Sequence, residues 1–248
     1  MTDRPSILVP IRILEGESIP DGVPKLLADT NVVLLGYHAI PEQTAPGQAR
    51  MQFEERATAR MDELEALFEN AGATVERRLV FTHNAQQTLN RLGHEENCLA
   101  TLLPATVGDL DDVLVAVRGT VGIDRLARVV AGVFAGFGAT VTLYHVAREG
   151  ESDADAQTLL DGLADRLVDR GLDDARIETR IESEQDPLDA IIDATVDFDA
   201  LVMGESDPTL ATFVFGLPAD QIAEQFLGPV FVVQREPPEG GEEDGAAE

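Results

Sequence analysis

Short apolar runs alternate along the chain with longer segments in which apolar residues recur at helical spacing. The alternation is clearest after residue 108, where apolar and β-branched runs predict strands at Val113–Val117, Thr140–Val146, Ala175–Ile181, Ala200–Gly204 and Pro229–Val233. Between these runs, apolar residues recur every three or four positions, the spacing of an amphipathic helix. Strands that alternate with helices predict a doubly wound α/β fold, in which helices cover both faces of a mostly parallel sheet.

The first half of the chain repeats this order. Four segments return in sequence: Ile7–Arg12 as Val113–Arg118, Tyr37–His38 as Tyr144–His145, Thr74–Val80 as Arg176–Glu182, and Glu96–Leu103 as Asp197–Gly204. A period of about 105 residues is too long for a solenoid repeat of roughly 20–50 residues. We therefore predict a tandem duplication into copy 1 (residues 1–108) and copy 2 (residues 109–235). Residues 236–248, rich in Glu, Gly and Pro, are predicted to form a disordered acidic tail.

Copy 1 is predicted to be shorter than copy 2. After its fourth strand, which ends near Leu103, the chain passes Pro104 and Gly108 and enters copy 2 directly. No helix and no fifth strand fit in this gap, so copy 1 is predicted to end in an open sheet edge that a partner must cover. We expect a homodimer that pairs through this open edge or through the fifth strand of copy 2.

The chain is strongly acidic along its whole length. It has 46 acidic and 18 basic side chains and a net charge of −28, and Lys25 is its one lysine. Self-repulsion at this charge opposes folding, but at about 1 M salt the screening length falls to roughly 3 Å. The composition therefore predicts the cytoplasm of a halophilic organism. No basic stripe is present for nucleic acid, and the uncharged stretch 129–144 is too short for a membrane span.

The reactive side chains indicate no catalytic and no metal site. Cys98 lies in an apolar run and is predicted to be a buried, inert thiol. All four histidines precede Ser206, whereas a hydrolase built on a nucleophile elbow places its histidine after the serine. His38 and His145 are interpreted as partly buried, hydrogen-bonded residues at strand ends. We therefore expect a protein that is not an enzyme.

Copy 2 resembles a universal stress protein domain over essentially its full length. The resemblance rests on the first strand VLVAV, on LYHV (Leu143–Val146), on Met203-Gly204 and on the last strand PVFVV. Copy 1 resembles the same family across its first four strands. The resemblance implies two tandem doubly wound domains of the adenine nucleotide alpha hydrolase-like type, with strand order 3-2-1-4-5 and dimer pairing through the fifth strand. It also implies a role in stress tolerance or regulation.

In doubly wound sheets, ligands bind at the carboxyl ends of the strands where the winding reverses. The candidate binding residues of copy 2 are therefore those that end its first, second and fourth strands and those of the following loop: Val117, Arg118, Gly119, Val146, Met203, Gly204, Asp207, Gly216 and Leu217. ATP-binding members of the family carry a glycine-rich loop that ends in Gly-Ser or Gly-Thr, and commonly an Asp at the end of the first strand. Here Arg118 takes the Asp position.

The same loop departs from the family pattern in ways that weaken phosphate binding. Asp207 replaces the second glycine and places a negative charge beside any polyphosphate, and Leu217 stands where a hydroxyl donor is needed. We therefore expect a degenerate pocket without a cofactor, in a non-catalytic stress or regulatory protein that acts through contacts with an unidentified client protein. The alternative is an ATP or AMP sensor that binds the nucleotide in copy 2 through Gly204, Gly216 and Arg118.

Overall fold

The computed structural model describes residues 4–119, 122–147, 150–183, 187–204 and 226–234. Its strands are β1 (Ser6–Arg12), β2 (Asn31–Ala39), β3 (Thr74–Thr82), β4 (Ala100–Leu103), β5 (Asp112–Ala116), β6 (Thr140–Val146), β7 (Ile177–Glu182), β8 (Ala200–Gly204) and β9 (Val230–Val233). They form one open, mostly parallel nine-stranded sheet in the order β3-β2-β1-β4-β9-β8-β5-β6-β7. The predicted α/β fold class is confirmed, and within copy 2 the strands follow the expected order 3-2-1-4-5.

Helices connect the strands, and two of the α-helices in the described part of the chain begin at a capping side chain. The helices are α1 (Val23–Leu26), α2 (Pro46–Ala71), α3 (Ala85–Glu95), α4 (Ile123–Phe134), α5 (Asp153–Asp169) and α6 (Pro187–Ala194), with 3-10 turns at Asp174–Arg176 and Thr195–Asp197. The side chain of Asn84 accepts the N–H of Gln87 at the start of α3, and Ser152 caps α5 through the N–H of Asp155. Such caps satisfy N–H groups that have no partner inside the helix.

The hydrophobic core differs between the two faces of the sheet. On the face covered by α1, α2, α4 and α5, buried residues form one continuous cluster through both copies, and Phe134 meets Phe231 edge-on with ring centroids 5.5 Å apart. On the other face, α3 covers a small cluster in copy 1 and α6 covers a separate one in copy 2. The two copies therefore share one hydrophobic core on one face of the sheet and have separate cores on the other face.

The strand that joins the copies is β9. It pairs parallel with β8 and antiparallel with β4, where Ala100 lies opposite Val233 and Leu103 opposite Val230. We call the pairing of β4 with β9 the seam. The prediction that the open edge of copy 1 needs a partner was wrong, because the fifth strand of copy 2 covers that edge within the same chain. Both strand edges named for a homodimer are thus already paired, while the homodimer itself stays an untested prediction.

Residues 104–111 contain neither helix nor strand, which is the shortening predicted for copy 1. The segment folds back onto the β1–β2 connection, where the N–H of Val107 donates to Asp21 O at 3.0 Å. Leu110 is buried there. Because the seam is antiparallel, the strands of copy 1 and copy 2 end at opposite edges of the sheet, so each copy has its own carboxyl edge.

Backbone hydrogen bonds at the amino ends of the strands identify equivalent positions. Asn31 N–H donates to Pro5 O (2.9 Å) as Thr140 does to Asp111 (2.7 Å), and Leu99 N–H donates to Ser6 O (2.8 Å) as Asp199 does to Asp112 (2.8 Å). By this register Tyr37 is equivalent to Val146, and Tyr144 to Leu35. The Tyr-His match in the sequence is therefore two residues out of structural register.

Among the described residues, no helix is long and apolar enough to cross a membrane. The same residues contain no group of three or more His, Cys, Asp or Glu side chains placed to hold a metal ion. Cys98 is 1% exposed, and burial raises the pKa of its thiol to about 11. The buried position predicted for this cysteine is confirmed.

Candidate functional site

The carboxyl edge of copy 2 brings together six of the predicted binding residues. Val117, Arg118 and Gly119 follow β5, Val146 ends β6, and Met203 and Gly204 end β8. Because β5 pairs in parallel with both β6 and β8, these strand ends lie side by side. Val117, Val146 and Met203 are buried, Arg118 is half-buried, and Gly119 has φ +93, which glycine adopts without strain. Asp207, Gly216 and Leu217 lie outside the described residues.

His145 lies within hydrogen-bond distance of both the end of β5 and the segment just before α5. Its side chain is 2% exposed, with Nδ1 2.7 Å from Val117 O and Nε2 3.1 Å from Glu151 Oε2. A carbonyl oxygen only accepts, so Nδ1 carries a hydrogen. Nε2 faces the Glu151 carboxyl group, so the imidazole connects Val117 to Glu151. His145 is thus a hydrogen-bonded strand-end residue, as predicted, but fully rather than partly buried.

A second polar network supports β6 on the opposite face of the sheet. The Tyr144 hydroxyl donates to Glu182 Oε2 at 2.7 Å and lies 3.3 Å from Ala190 O on α6. Arg180 forms an ion pair with Glu182 and lies 5.4 Å from the centre of the Tyr144 ring. The bond from Tyr144, together with Arg180, lowers the pKa of Glu182. This network links β6, β7 and α6 behind the carboxyl edge.

The carboxyl edge of copy 1 is closed by the chain's own carboxylates. Ile13 N–H donates to Tyr37 O on β2 at 3.1 Å, and successive N–H groups of a strand point to opposite sides, so the N–H of Arg12 points toward β4. There it donates to Glu17 Oε2 at 2.5 Å. The Glu15 carboxylate lies 3.7 Å from the Arg12 guanidinium. An internal anion therefore occupies the place between β1 and β4 where the winding reverses.

Tyr37 and His38 do not reproduce the contacts of Tyr144 and His145. Arg12 Nε donates to the Tyr37 hydroxyl at 3.1 Å, and burial raises the pKa of Tyr37 although this bond opposes the shift. The His38 ring lies edge-on to Phe53 and Phe81, with centroids 5.6 and 6.2 Å away. Within the described part of the chain, its buried Nδ1 has no hydrogen-bond partner. The prediction that His38 is hydrogen-bonded like His145 is therefore wrong at this nitrogen.

Sequence reasoning missed Glu17 and Glu151. Each lies in a connection a few residues beyond a strand end, Glu17 after β1 and Glu151 after β6. In a chain with 46 acidic residues, a single carboxylate in a loop carries no signal of its own. The local cue for Glu17 is its position five residues after Arg12, a turn length that returns a side chain to the end of its own strand.

Comparison with known proteins supports the fold. No family model and no curated protein matches the sequence. Among solved structures, a universal stress protein from Archaeoglobus fulgidus DSM 4304 superposes with a TM-score of 0.60 at 16% identity, over 93% of this chain and 96% of that one. A functionally unknown protein, PA1789 from Pseudomonas aeruginosa PAO1, superposes with a TM-score of 0.50 at 15% identity, over 94% of each chain. The fold is thus that of universal stress proteins.

Proposed function

We propose that this chain is a non-catalytic stress-response or regulatory protein of the universal stress protein class, which acts through contacts with a client protein. The observation that carries the proposal is the Glu17 carboxylate at the end of β1. Glu15 lies 3.7 Å from the Arg12 guanidinium, and Glu17 accepts the backbone N–H of Arg12 that a phosphate would otherwise use. A polyphosphate would have to displace Glu17 against the repulsion of Glu15.

The charge of the chain fits the cytoplasm of a salt-accumulating organism. A net charge of −28 leaves the folded state under strong self-repulsion at low ionic strength. Near 1 M salt the screening length of about 3 Å confines electrostatics to direct contacts. Ion pairs at contact distance, such as Arg78 with Glu96 (2.6 Å), then keep their value while long-range repulsion disappears. A tandem protein of this kind would work as a salt-adapted scaffold.

The test is equilibrium binding of ATP and AMP to the purified chain in 2 M KCl, with and without magnesium. We expect no saturable binding of ATP up to millimolar concentration, and no AMP binding that Arg12→Gln or Arg118→Gln weakens. Micromolar nucleotide binding that either substitution weakens would overturn the proposal in favour of a nucleotide sensor. Release of phosphate from ATP, abolished by substitution of a single carboxylate, would contradict the non-catalytic part.

A nucleotide sensor built on copy 2 is the second candidate, and a different observation favours it. The carboxyl edge of copy 2 places the half-buried Arg118 and Gly119, whose φ is positive, beside the buried Val146 and Met203. Arginine pairs with phosphate in a fixed two-bond geometry. If this edge holds the nucleotide, Arg118→Gln should weaken ATP binding by about tenfold or more, whereas Arg12→Gln in copy 1 should leave it unchanged.

A further inference from the structure

A cleft of about 880 Å³ lies between the two copies, away from either carboxyl edge. Copy 1 contributes Arg4 and Asp29, and copy 2 contributes Arg128 from α4 together with Asp169 and Arg170 from the end of α5. Its volume lies within the range of about 300–1,000 Å³ found for small-molecule sites, which favour domain interfaces. We call it the arginine cleft.

The floor of the arginine cleft is a small-residue stripe on α4 and the turn that follows it. Residues 128, 131, 132, 135 and 136 recur at helical spacing and present one arginine, two alanines and two glycines to the same side. A Cβ on Gly132 would lie 2.5 Å from Pro5 Cδ, so glycine allows copy 1 to approach the helix. A Cβ on Gly136 would meet no atom within 4 Å. Close packing at one glycine and open space at the other create the cleft.

Basic side chains outnumber acidic ones in the arginine cleft, the reverse of the chain as a whole. Acidic side chains outnumber basic ones 46 to 18 overall, whereas here three guanidinium groups face two carboxylates. Arg4 lies 3.8 Å from Asp29, too far for a hydrogen bond, and Arg170 uses one N–H on Arg166 O at 3.2 Å. Arginine has five N–H donors, so both side chains keep donors for a ligand.

Two helices end near the arginine cleft, and carbonyl groups without hydrogen bonds at these ends would disfavour an anion. At the end of α5, Leu167 O accepts backbone N–H groups of Arg170 and Leu172, and Val168 O accepts that of Gly171. At the end of α4, Phe134 O accepts the N–H of Phe137. Because these carbonyl oxygens are already bonded, the helix ends offset the guanidinium groups only weakly.

We propose that the arginine cleft binds a small phosphate-bearing anion, held by Arg4, Arg128 and Arg170. Guanidinium groups pair with phosphate oxygens through two parallel hydrogen bonds, which persist when salt screens the long-range field. Asp29 and Asp169 disfavour polyphosphates, whose added negative charge they would face, and can accept hydrogen bonds from hydroxyl groups of an ester. The ligand class is therefore inorganic phosphate or a hydroxylated phosphate monoester.

The test is calorimetric titration of the full chain with inorganic phosphate and with ribose 5-phosphate, in 1 M KCl so that the net charge does not repel either probe. We expect saturable binding of one equivalent, weakened about tenfold or more by Arg128→Gln. Tighter binding of ribose 5-phosphate identifies a monoester as the ligand, and equal affinities identify the bare anion. No saturable binding of either probe up to about 10 mM, a concentration that would detect even millimolar affinity, overturns the proposal.

A steric variant and two controls make the result specific. Gly136→Leu leaves every charge in place but fills open space, and it should abolish binding while the melting temperature stays close to that of the parent. Arg91→Gln removes an exposed arginine paired with Glu95 on α3 and should bind like the parent. Binding that Arg118→Gln weakens and Arg128→Gln leaves unchanged would place the anion at the carboxyl edge of copy 2 and overturn the proposal. Binding that survives both Arg128→Gln and Gly136→Leu would place the anion elsewhere.

Discussion

The two carboxyl edges of the sheet belong to the two predicted copies and have different chemistry. Arg12 and Arg118 occupy equivalent positions at the ends of β1 and β5. Arg12 lies opposite Tyr37 on β2, whereas the residue opposite Tyr144 on β6 is Ala116, two residues before Arg118. Arg12 is therefore bonded to a tyrosine hydroxyl, and the position equivalent to that tyrosine in copy 2 is Val146. A shift of two residues keeps each side chain on its own face of the sheet but moves it along the strand by about 7 Å.

The same shift explains why only one histidine is bonded to the end of the first strand. His145 is equivalent in register to Gly36, where a Cβ would lie 2.6 Å from Met61 Sδ. In copy 1 a methionine from α2 therefore fills the space that the imidazole fills in copy 2. His38 lies beyond the end of β1 and packs against aromatic rings instead. Sequence similarity between copies thus identifies the strand but not the role of a residue in it.

The largest expected difference between the copies comes from replacing each histidine by phenylalanine. His145→Phe removes both hydrogen bonds of a buried side chain and leaves Val117 O without its imidazole donor, so we expect a loss of about 2–4 kcal/mol in the free energy of unfolding. His38→Phe removes a buried nitrogen that has no partner within the described chain and retains the edge-on ring contacts. We expect a change within about 0.5 kcal/mol or a gain in stability.

Urea unfolding of both variants in 2 M KCl measures this difference. His145→Gln serves as the control, because an amide can donate to Val117 O and should recover part of the loss. Equal destabilisation by the two phenylalanine variants would mean that the copies use their histidines alike, and the comparison of the two edges would fail.

A smaller difference is expected when each tyrosine loses its hydroxyl. Tyr144→Phe removes the donor to Glu182 beneath α6, and we expect a loss of about 1–2 kcal/mol. Tyr37→Phe removes a half-buried acceptor of Arg12, whose charge stays solvated, and we expect less than about 0.5 kcal/mol. The same urea titrations measure both variants.

The Tyr144→Phe variant also makes a prediction about acid. The pKa of Glu182 is lowered in the folded state, so the carboxylate stabilises the fold above its unfolded pKa of about 4.3, and this contribution is lost as the pH falls through the folded value. Without the Tyr144 hydroxyl, the loss of stability below about pH 4 should become shallower. An unchanged pH dependence of stability below about pH 4 would show that Arg180 alone lowers the pKa of Glu182.

The strands and their order follow from apolar runs, because a strand buried on both faces leaves a continuous signal. The five runs of copy 2 therefore gave the correct elements, including the short β9. The seam was not predictable in this way. Whether β4 pairs with a second chain or with β9 depends on where a strand more than a hundred residues later lies, and Ala100–Leu103 has the same apolar pattern in both cases.

The site could be predicted only in part, for a related reason. Strand ends such as Val117, Val146 and Met203 follow from the topology, because parallel strands end at the same edge. The side chains that return to those ends from connections, Glu17 and Glu151, depend on turn geometry that no periodicity encodes. Strand register was also hidden, since the Tyr-His repeat favoured an alignment that the hydrogen bonds of the sheet contradict.

The smallest expected effect tests the amino ends of the first strands, where Asp112 of copy 2 takes the place of Ser6 in copy 1. Burial, and then the charges of Asp199 and Asp111, raise the pKa of Asp112. A raised folded pKa gives stability that is present below the unfolded pKa of about 3.9 and lost as the pH rises through the folded value. At neutral pH the carboxylate therefore destabilises the fold. Asp112→Asn should raise the free energy of unfolding at pH 7 by about 0.5 kcal/mol, the upper end for a surface substitution.

The pH and salt dependence of this gain identify its cause. The gain should vanish as the pH falls well below the unfolded pKa of about 3.9, where the parent carboxyl is neutral in both the folded and the unfolded state. It should shrink but persist in 1 M KCl, because salt screens the repulsion from Asp199 and not the cost of burial. Asp21→Asn, an exposed site in copy 1, should leave stability unchanged at both pH values. If Asp112→Asn gave no gain at low salt, the acidic amino end of copy 2 would be solvated like the rest of the surface, and the two copies would differ only at their carboxyl edges.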